Sequence, residues 1–549
     1  MISQSLPLGT PLPPHDSHAI SVSMPTWNCI SDITSGDDSV IDSLQTNYPR
    51  LSRFIRHKCV KDLGIAINQR LQYSKDQNHL ILSSAKAALR CSSMLRKKHN
   101  DSIPRIVKFG PLGRLIAAHH DSWAVFYVVH FHNSLELEAM RFLQEFGDGI
   151  SSRQAEFCLE QLVRLKSQSI GGNPAIDTLL ASEKTAVDIH TGQPQWVPLD
   201  SPDKLYVKQA IAKSATSELT SLLPVADSDV FLFANGLSAI GATAQAISTL
   251  FAESEAVIYG WPYADTPATI RGCGFSSVTI FAYSTLEELN KLESSLASGR
   301  KVAVLFCEAA SNPLLLMPDL HHIRQIADMY NFVVVCDDTV ATTLNVDILP
   351  YVDVIVTSLS KIFSGAGNVM GGSVLLNPNS CHYHKLSAHM RETYEDLFFP
   401  GDARVMAENC ASFPDRIKKS NETTLNLARL LIVHPAVKSI NHPTTVHSRE
   451  LYDRYRRKDG GYGYLLSIIF HQPEAAIQFY DSLDICKGPS IGTSFSIAIA
   501  YSMIAHSAEL EWAAEHGIPK HIIRLSVGLE DEEYIIARIR QALSAAENV

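Results

Sequence analysis

One stretch of the chain gathers more reactive side chains than any other: VDVIVTSLSKIFSGAGNVMGGSVLLN, residues 352–377. An apolar run ends in Ser358, Leu359, Ser360 and Lys361. Glycines and hydroxyls follow, and then a second apolar run. A lysine at the junction of a strand and a turn faces the ligand crevice of an open α/β sheet. Its amine suits Schiff-base chemistry, and the neighbouring hydroxyls suit a phosphate. Taken by itself, such a lysine is a solvated strand end.

Other segments supply complementary parts. FVVVCDDT ends an apolar run in Asp337 and Asp338. Adjacent residues of a strand point to opposite faces, so only one of the two acids can serve a bound ring. A carboxylate there pairs with a protonated pyridine nitrogen and keeps the ring an electron sink. The plainer reading is a turn acid. In ANGLSAIGATAQAI, Gly236 stands where a strand turns into a helix, and the N–H groups of such a helix start can hold a phosphate. YGWPYADTP offers Tyr263, whose ring can stack on a flat group or simply pack. Arg524 interrupts the apolar IIRLSVGLE. A buried arginine needs an anion, either a substrate carboxylate or an internal acid. Each feature alone is ambiguous. Their order is distinctive: glycine turn, tyrosine, CEAASNP, paired aspartates, S-x-S-K and a late arginine.

The elements that must position them are legible as well. The runs DVFLFA, AVIYG, SVTIFA, KVAVLFCE, FVVVCDD, VDVIVTSL and GGSVLLN are β-branched and nearly unbroken, with amphipathic segments such as LHHIRQIADMYN between them. That pattern predicts an α/β fold with a mostly parallel sheet covered by helices. Beyond about residue 388 the runs thin out, and a strand followed by a helix closes the chain, predicting a smaller α+β C-terminal domain. The expected division is an N-terminal arm or extension over 1–170, a large domain over 171–390 and a small one over 391–549. The first residues, rich in Pro and Ser, read as extended. AAHHDSWAVFYVVHFHNSLELEAMRFLQEFG reads as helical.

A chain of 549 residues can bury a core without metal or disulfide staples. Its formal net charge of -10 argues against non-specific nucleic-acid binding. Ten cysteines without a C-x-x-C pair suggest neither a zinc site nor a disulfide framework, and so a reducing compartment, the cytoplasm. The N-terminal sequence lacks a secretory pattern, and no uncharged apolar run reaches membrane-spanning length.

These segments resemble the cystathionine-synthase and lyase family of pyridoxal-phosphate enzymes, the Cys/Met-metabolism group of fold type I, and most of all its fungal cystathionine γ-synthase branch. The carriers run the length of the chain: PLPPHDSHAISVSMPTW, YPR at 48–50, GDGISSRQAE, YGWPYADT, EAASNPLL, VVVCDDT, SLSKIFSGAGNVMGG, KGPSIGTSFSIA and IIRLSVGLEDEE. The resemblance implies that pyridoxal 5'-phosphate is held by Lys361, which then moves protons. It implies that Asp337 pairs with the pyridinium and Tyr263 stacks on the ring. Gly236, Leu237, Ser358 and Ser360 would hold the phosphate, and Asn312 would lie near the ring's phenolic oxygen. Ser490 and Arg524 would bind the substrate α-carboxylate. Tyr48 and Arg50 would reach a neighbouring subunit's phosphate, although they lie far upstream of the glycine turn. The sequence has Leu237 where the family usually has Met, Ser360 where it has Thr, and the acid Asp338 where an uncharged residue is common.

The resemblance implies a homodimer or homotetramer acting on small amino-acid substrates, with no membrane or nucleic-acid partner. The implied reaction is γ-replacement on an O-acylated homoserine with cysteine as nucleophile. Alternatives are a diverged enzyme that adds a carbon nucleophile in a specialised-metabolite pathway, a lyase acting on cystathionine or methionine, and an inactive chain that keeps only the fold.

Overall fold

The computed structural model describes residues 5–36, 57–72, 74–98, 104–111, 121–162, 165–170 and 201–547. They fall into two compact units. The first holds the described parts of Met1–Arg50, Leu205–Tyr394 and Val405–Val549, and the second those of Leu51–Lys204 and Glu395–Arg404.

In the first unit all seven apolar runs become strands of one sheet. Their order is Val230–Phe233, Gly372–Leu376, Val354–Thr357, Val333–Asp337, Val302–Glu308, Glu255–Tyr259 and Val278–Phe281. Gly372–Leu376 runs antiparallel to both its neighbours, and the remaining pairs are parallel. Coverage on both faces explains why the runs are unbroken rather than alternating. The helix Gly236–Leu250 buries Ala239, Ile240, Ala244 and Ile247 in a core shared with Ile258, Val304, Val335 and Val356. The α/β class expected from the sequence is the class observed.

A second sheet in the same unit has five strands in the order Val437–Asn441, Leu465–Phe470, Ile523–Ser526, Ile497–Ala500 and Cys486–Lys487. The helices Phe413–Ile432 and Pro473–Ser482 pack on it. The Pro- and Ser-rich start of the chain joins this unit. Its short strands Pro11–Leu12 and Ser21–Val22 pair antiparallel. Leu12 packs against Cys486, Phe495 and Ile497. The Ile20 N–H donates to the Gly367 carbonyl at 2.8 Å, which ties the segment to the lysine loop.

The second unit is built on a four-stranded antiparallel sheet, ordered Gln77–Leu82, Phe126–His132, Arg105–Pro111 and Leu165–Ile170. Here the structure corrects one expectation. Among the described residues of the segment read as helical, only Glu136–Phe146 is a long helix, and Phe126–His132 is a strand. Phe126 and Val128 enter one core, while Tyr127, Val129 and Phe131 enter the core on the other face. A strand buried on both faces has no polar positions to contradict a helical reading. The returning segment Glu395–Arg404 is anchored by charge. Asp396 pairs with the buried Lys204 at 2.6 Å, and Asp402 pairs with Arg153 at 3.1 Å.

Phe142 is fully buried in the second unit's core. Phe142→Ala is expected to cost about 3–5 kcal/mol through lost burial and the cavity left behind. Urea titration of the purified variant reads this as a lower unfolding midpoint. An unmoved midpoint would contradict the packing described here.

Candidate active site

The strand Val354–Thr357 delivers the chain into the lysine loop. The Ser358 N–H donates to the Thr339 hydroxyl at 2.8 Å. Two backbone bonds then turn the loop, from the Lys361 N–H to the Ser358 carbonyl at 3.2 Å and from the Gly365 N–H to the Lys361 carbonyl at 2.8 Å. Lys361 is half-buried. The Ser360 hydroxyl is engaged by the Gly371 backbone, donating to its carbonyl at 3.2 Å and accepting from its N–H at 3.0 Å. It therefore braces the loop against the following strand.

The glycine turn lies directly against this loop. A Cβ added at Gly236 would stand 2.9 Å from the Ser358 Cβ, closer than real side chains approach. The close approach therefore requires a residue without a Cβ there. Asn235 caps the helix, its side chain accepting from the Ser238 N–H at 3.0 Å. The first N–H groups of a helix lack partners within it, so Gly236 and Leu237 bring donors up to Ser358. Leu237 turns its own side chain into the core under the sheet.

Asp337 closes the central strand. Its carboxylate accepts from the Thr339 N–H at 2.9 Å, and burial pushes its proton affinity above the ordinary carboxylate range. Directly in register on the neighbouring parallel strand stands Glu308. The Glu308 carboxyl accepts the N–H groups of Tyr263 and Asn312. Burial, reinforced by the charge of Asp337, pushes it well above its usual range. Asp338 serves the other face, as the alternation of a strand requires. It accepts from the Thr357 hydroxyl and from the Thr343 N–H, the latter at 3.0 Å.

The third part comes from the smaller sheet. Arg524, buried in the strand Ile523–Ser526, donates to the carbonyls of Pro489 at 2.7 Å and Ser490 at 3.2 Å, and to the Asn312 side-chain oxygen at 3.4 Å. The Tyr501 ring lies 5.2 Å from its guanidinium, and the Tyr501 hydroxyl donates to the Asn312 carbonyl at 3.3 Å. The plainer reading of Arg524 in the sequence was an internal ion pair; these contacts are to carbonyl and amide oxygens.

Most of the site residues singled out from sequence thus form one connected path. Gly236 touches Ser358, Ser358 bonds Thr339, and Thr339 bonds Asp337. Asp337 faces Glu308, which holds Tyr263 and Asn312, and Asn312 meets Arg524 beside Ser490. Tyr48 and Arg50 lie outside the described residues. Sequence reasoning gave no role to Glu308, Thr339 or Tyr501. Glu308 carried a usable signal, because KVAVLFCE and FVVVCD both end in an acid and parallel neighbours bring such ends together. Thr339 and Tyr501 act through contacts that no local pattern announces.

The donor set fits pyridoxal phosphate. A helix N-terminus and the Ser358 hydroxyl converge at a cradle that a single Cβ would fill, and a withdrawn carboxylate and a lysine stand nearby. Gly236→Ala is expected to weaken cofactor binding about tenfold or more, since every tenfold corresponds to about 1.4 kcal/mol. A fluorescence titration of cofactor-free protein with pyridoxal phosphate measures this, and unchanged affinity would remove Gly236 from the cradle.

Asp338 gives a second test. Burial, with the Asp337 charge adding to it, pushes this carboxyl up to about 7 from its ordinary 3.8. Between those values the folded protein holds a proton that the unfolded chain has released. The contribution of Asp338 to stability therefore falls as pH rises from about 4 to about 7. Asp338→Asn removes that dependence. In thermal melts of cofactor-free protein, the variant should gain on the wild type as pH rises through this window. Parallel pH slopes would contradict the assignment.

Comparison with known proteins agrees with this geometry. Residues 218–544 match the family model of Cys/Met metabolism PLP-dependent enzymes, and residues 59–151 match that of the fungal trans-sulfuration enzyme N-terminal domain. The chain is 46% identical to the cystathionine gamma-synthase-like protein ankD of Aspergillus thermomutatus, across 99% of this chain and 95% of that protein. It is 30% identical to the cystathionine gamma-synthase of Neurospora crassa, across 98% of each. Among solved structures, cystathionine gamma synthase of Xanthomonas oryzae superposes with a TM-score of 0.54 at 21% identity, covering 63% of this chain and 87% of that one, which establishes the shared fold. A lysine loop, a glycine turn and a buried strand-end carboxylate in one connected site, together with a family match over most of the chain, lead to one conclusion: the chain belongs to the Cys/Met-metabolism family of pyridoxal-phosphate-dependent enzymes and carries the N-terminal domain of its fungal trans-sulfuration branch.

Proposed function

We propose that the enzyme performs γ-replacement on an O-acylated L-homoserine, with cysteine as the nucleophile and cystathionine as the product. The observation that supports this reading is the connected path from Gly236 through Ser358, Asp337 and Asn312 to Arg524, next to the loop that carries Lys361. The N–H groups of Gly236 and Leu237 and the Ser358 hydroxyl would hold the phosphate, with Ser360 bracing the loop. Asp337 would face the pyridine nitrogen, Tyr263 would cover the ring and Asn312 would lie at its phenolic oxygen. When bound, pyridoxal phosphate supplies an electron sink that makes the substrate's α proton removable.

The protein's own groups do the rest. Arg524 and Ser490 orient the substrate α-carboxylate, which fixes the amino acid's direction in the site. Lys361 Nζ takes the α proton and later returns one. The bond from Cγ to the acyl oxygen breaks, and the acyl group leaves as a carboxylate. A bond from Cγ to the cysteine sulfur forms, and the thiol proton is released with the leaving acid. The choice of nucleophile rests on the walls of the pocket rather than on these groups.

Tyr48 and Arg50 would extend to the phosphate of a neighbouring copy, making the enzyme a homodimer or homotetramer. None of the ten cysteines is in a disulfide, which suits a reducing compartment such as the cytoplasm. Among the described residues, no helix is long and apolar enough to cross a membrane.

The deciding experiment incubates the holoenzyme with O-acetylhomoserine, with and without cysteine, and identifies products by mass spectrometry. Cystathionine formed only with cysteine is the expected result, and Lys361→Ala should abolish it. Release of 2-oxobutyrate without cystathionine would replace the reading with a lyase. Condensation with a β-keto acid in preference to cysteine would replace it with a carbon-nucleophile transferase.

A further inference from the structure

The paired strand ends carry a residue that the proposed mechanism does not use. Glu308 closes the strand Val302–Glu308 and stands in register with Asp337 on the adjacent parallel strand. Side chains in register on parallel neighbours lie on the same face. Both residues line one small cavity together with Tyr259, Pro262 and Thr266. The Glu308 carboxyl also accepts the backbone N–H of Tyr263 and the backbone N–H of Asn312. Tyr263 is far from Glu308 in sequence, and Asn312 follows it across a tight turn. One carboxyl group therefore fixes two separate loops beside Asp337.

We propose that Glu308 is a positioning residue for the reaction: its carboxyl group clamps the backbones of Tyr263 and Asn312 so that the tyrosine ring, the Asn312 amide and Asp337 hold one arrangement around the cofactor ring. This rests on the reading of Tyr263 and Asp337 as cofactor contacts, and it is independent of which nucleophile the enzyme uses. Glu308 touches neither substrate nor cofactor in this role. It acts through the loops it holds.

The electrostatics select the form in which it does so. Two withdrawn carboxyls side by side do not both ionise freely. Burial and the Asp337 charge raise Glu308 well above its ordinary range. Asp337 is also raised by burial, but the Thr339 side chain and N–H oppose that shift. The Thr339 donors favour charge on Asp337, where a pyridinium needs it. A neutral glutamic acid and a glutamine have nearly the same shape and the same carbonyl acceptor. Loss of the clamp, not loss of a charge, is what disables the site.

The test uses holoenzymes with cofactor occupancy matched. Its first readout is the visible circular-dichroism band of the bound cofactor, which reports ring orientation before any substrate is added. Glu308→Ala should lose much of that band per bound cofactor and lose turnover on the order of tenfold to a hundredfold, the scale of a misplaced reacting group. Glu308→Gln should recover most of both. Glu308→Asp keeps a carboxyl but withdraws it from the two N–H groups, and should resemble the alanine variant. The proposal falls if Glu308→Ala keeps the wild-type band and turnover, if Glu308→Gln is as impaired as Glu308→Ala, or if Glu308→Asp restores function. Should the alanine variant fail to fold, the comparison of Gln with Asp decides. A wild-type protein with no visible band would instead overturn the cofactor reading itself.

Discussion

Parallel strands that end in register impose a constraint that the rest of the site accommodates. Val302–Glu308 and Val333–Asp337 bring two carboxyl groups to the same face of one sheet, partly withdrawn from water. Unrelieved, that arrangement is costly, because a desolvated carboxylate loses its hydration and repels its neighbour. The structure relieves it with backbone donors: Tyr263 and Asn312 for Glu308, and Thr339 for Asp337. Each donor belongs to a loop that must be held in place, so the groups that settle the electrostatics also fix the geometry. Beyond Thr339, the network continues through Ser358 to the lysine loop. Beyond Asn312, it continues to Arg524.

Asp338 shows the same logic on the opposite face. It lies one residue from Asp337, yet its hydrogen bonds go to Thr357 and Thr343. The strand's alternation keeps the two acids apart in function. Tyr464 links the two sides. Its hydroxyl donates to the Thr339 carbonyl at 3.0 Å, and its pKa is raised by burial, with Asp337 and Asp338 adding to the rise and Arg524 opposing it. A buried tyrosine between the acids and the arginine gives this part of the core hydrogen-bonding capacity without a further charge.

Much of this was legible in the sequence because it depends on local pattern. The seven apolar runs announced the sheet, since strands covered on both faces need no polar positions. Lys361, Asp337 and Gly236 stood at strand ends and turns, where open sheets put their ligands. The remainder depends on pairings that a single chain does not display. The register of two parallel strands gave Glu308 its role, and the hydroxyl of Thr339 acts across to another strand. Ser360 illustrates the limit from the other side. Its hydroxyl reads as a phosphate ligand, and its bonds to Gly371, a matter of tertiary packing, are not visible in the sequence. Residues 126–132 failed for a related reason, since a doubly buried strand and a buried helix carry the same composition.

The site's construction also bears on how such an enzyme diverges. Nearly every contact along the path from Gly236 to Arg524 uses a backbone group on one side: the N–H groups of Ser358, Tyr263, Asn312 and Thr339, and the carbonyls of Pro489 and Ser490. Backbone contacts survive many side-chain changes, so the N–H groups of Gly236 and Leu237 do not depend on the Leu237 side chain. The aromatic packing beside Arg524 is different. Tyr501 lies against Arg524, and His506, Trp261 and Trp512 continue outward from it in a chain of ring contacts. Packing of this kind changes shape with each substitution. Backbone-built contacts and side-chain-built packing thus meet at Arg524, and the packing is the part whose shape depends on side-chain identity.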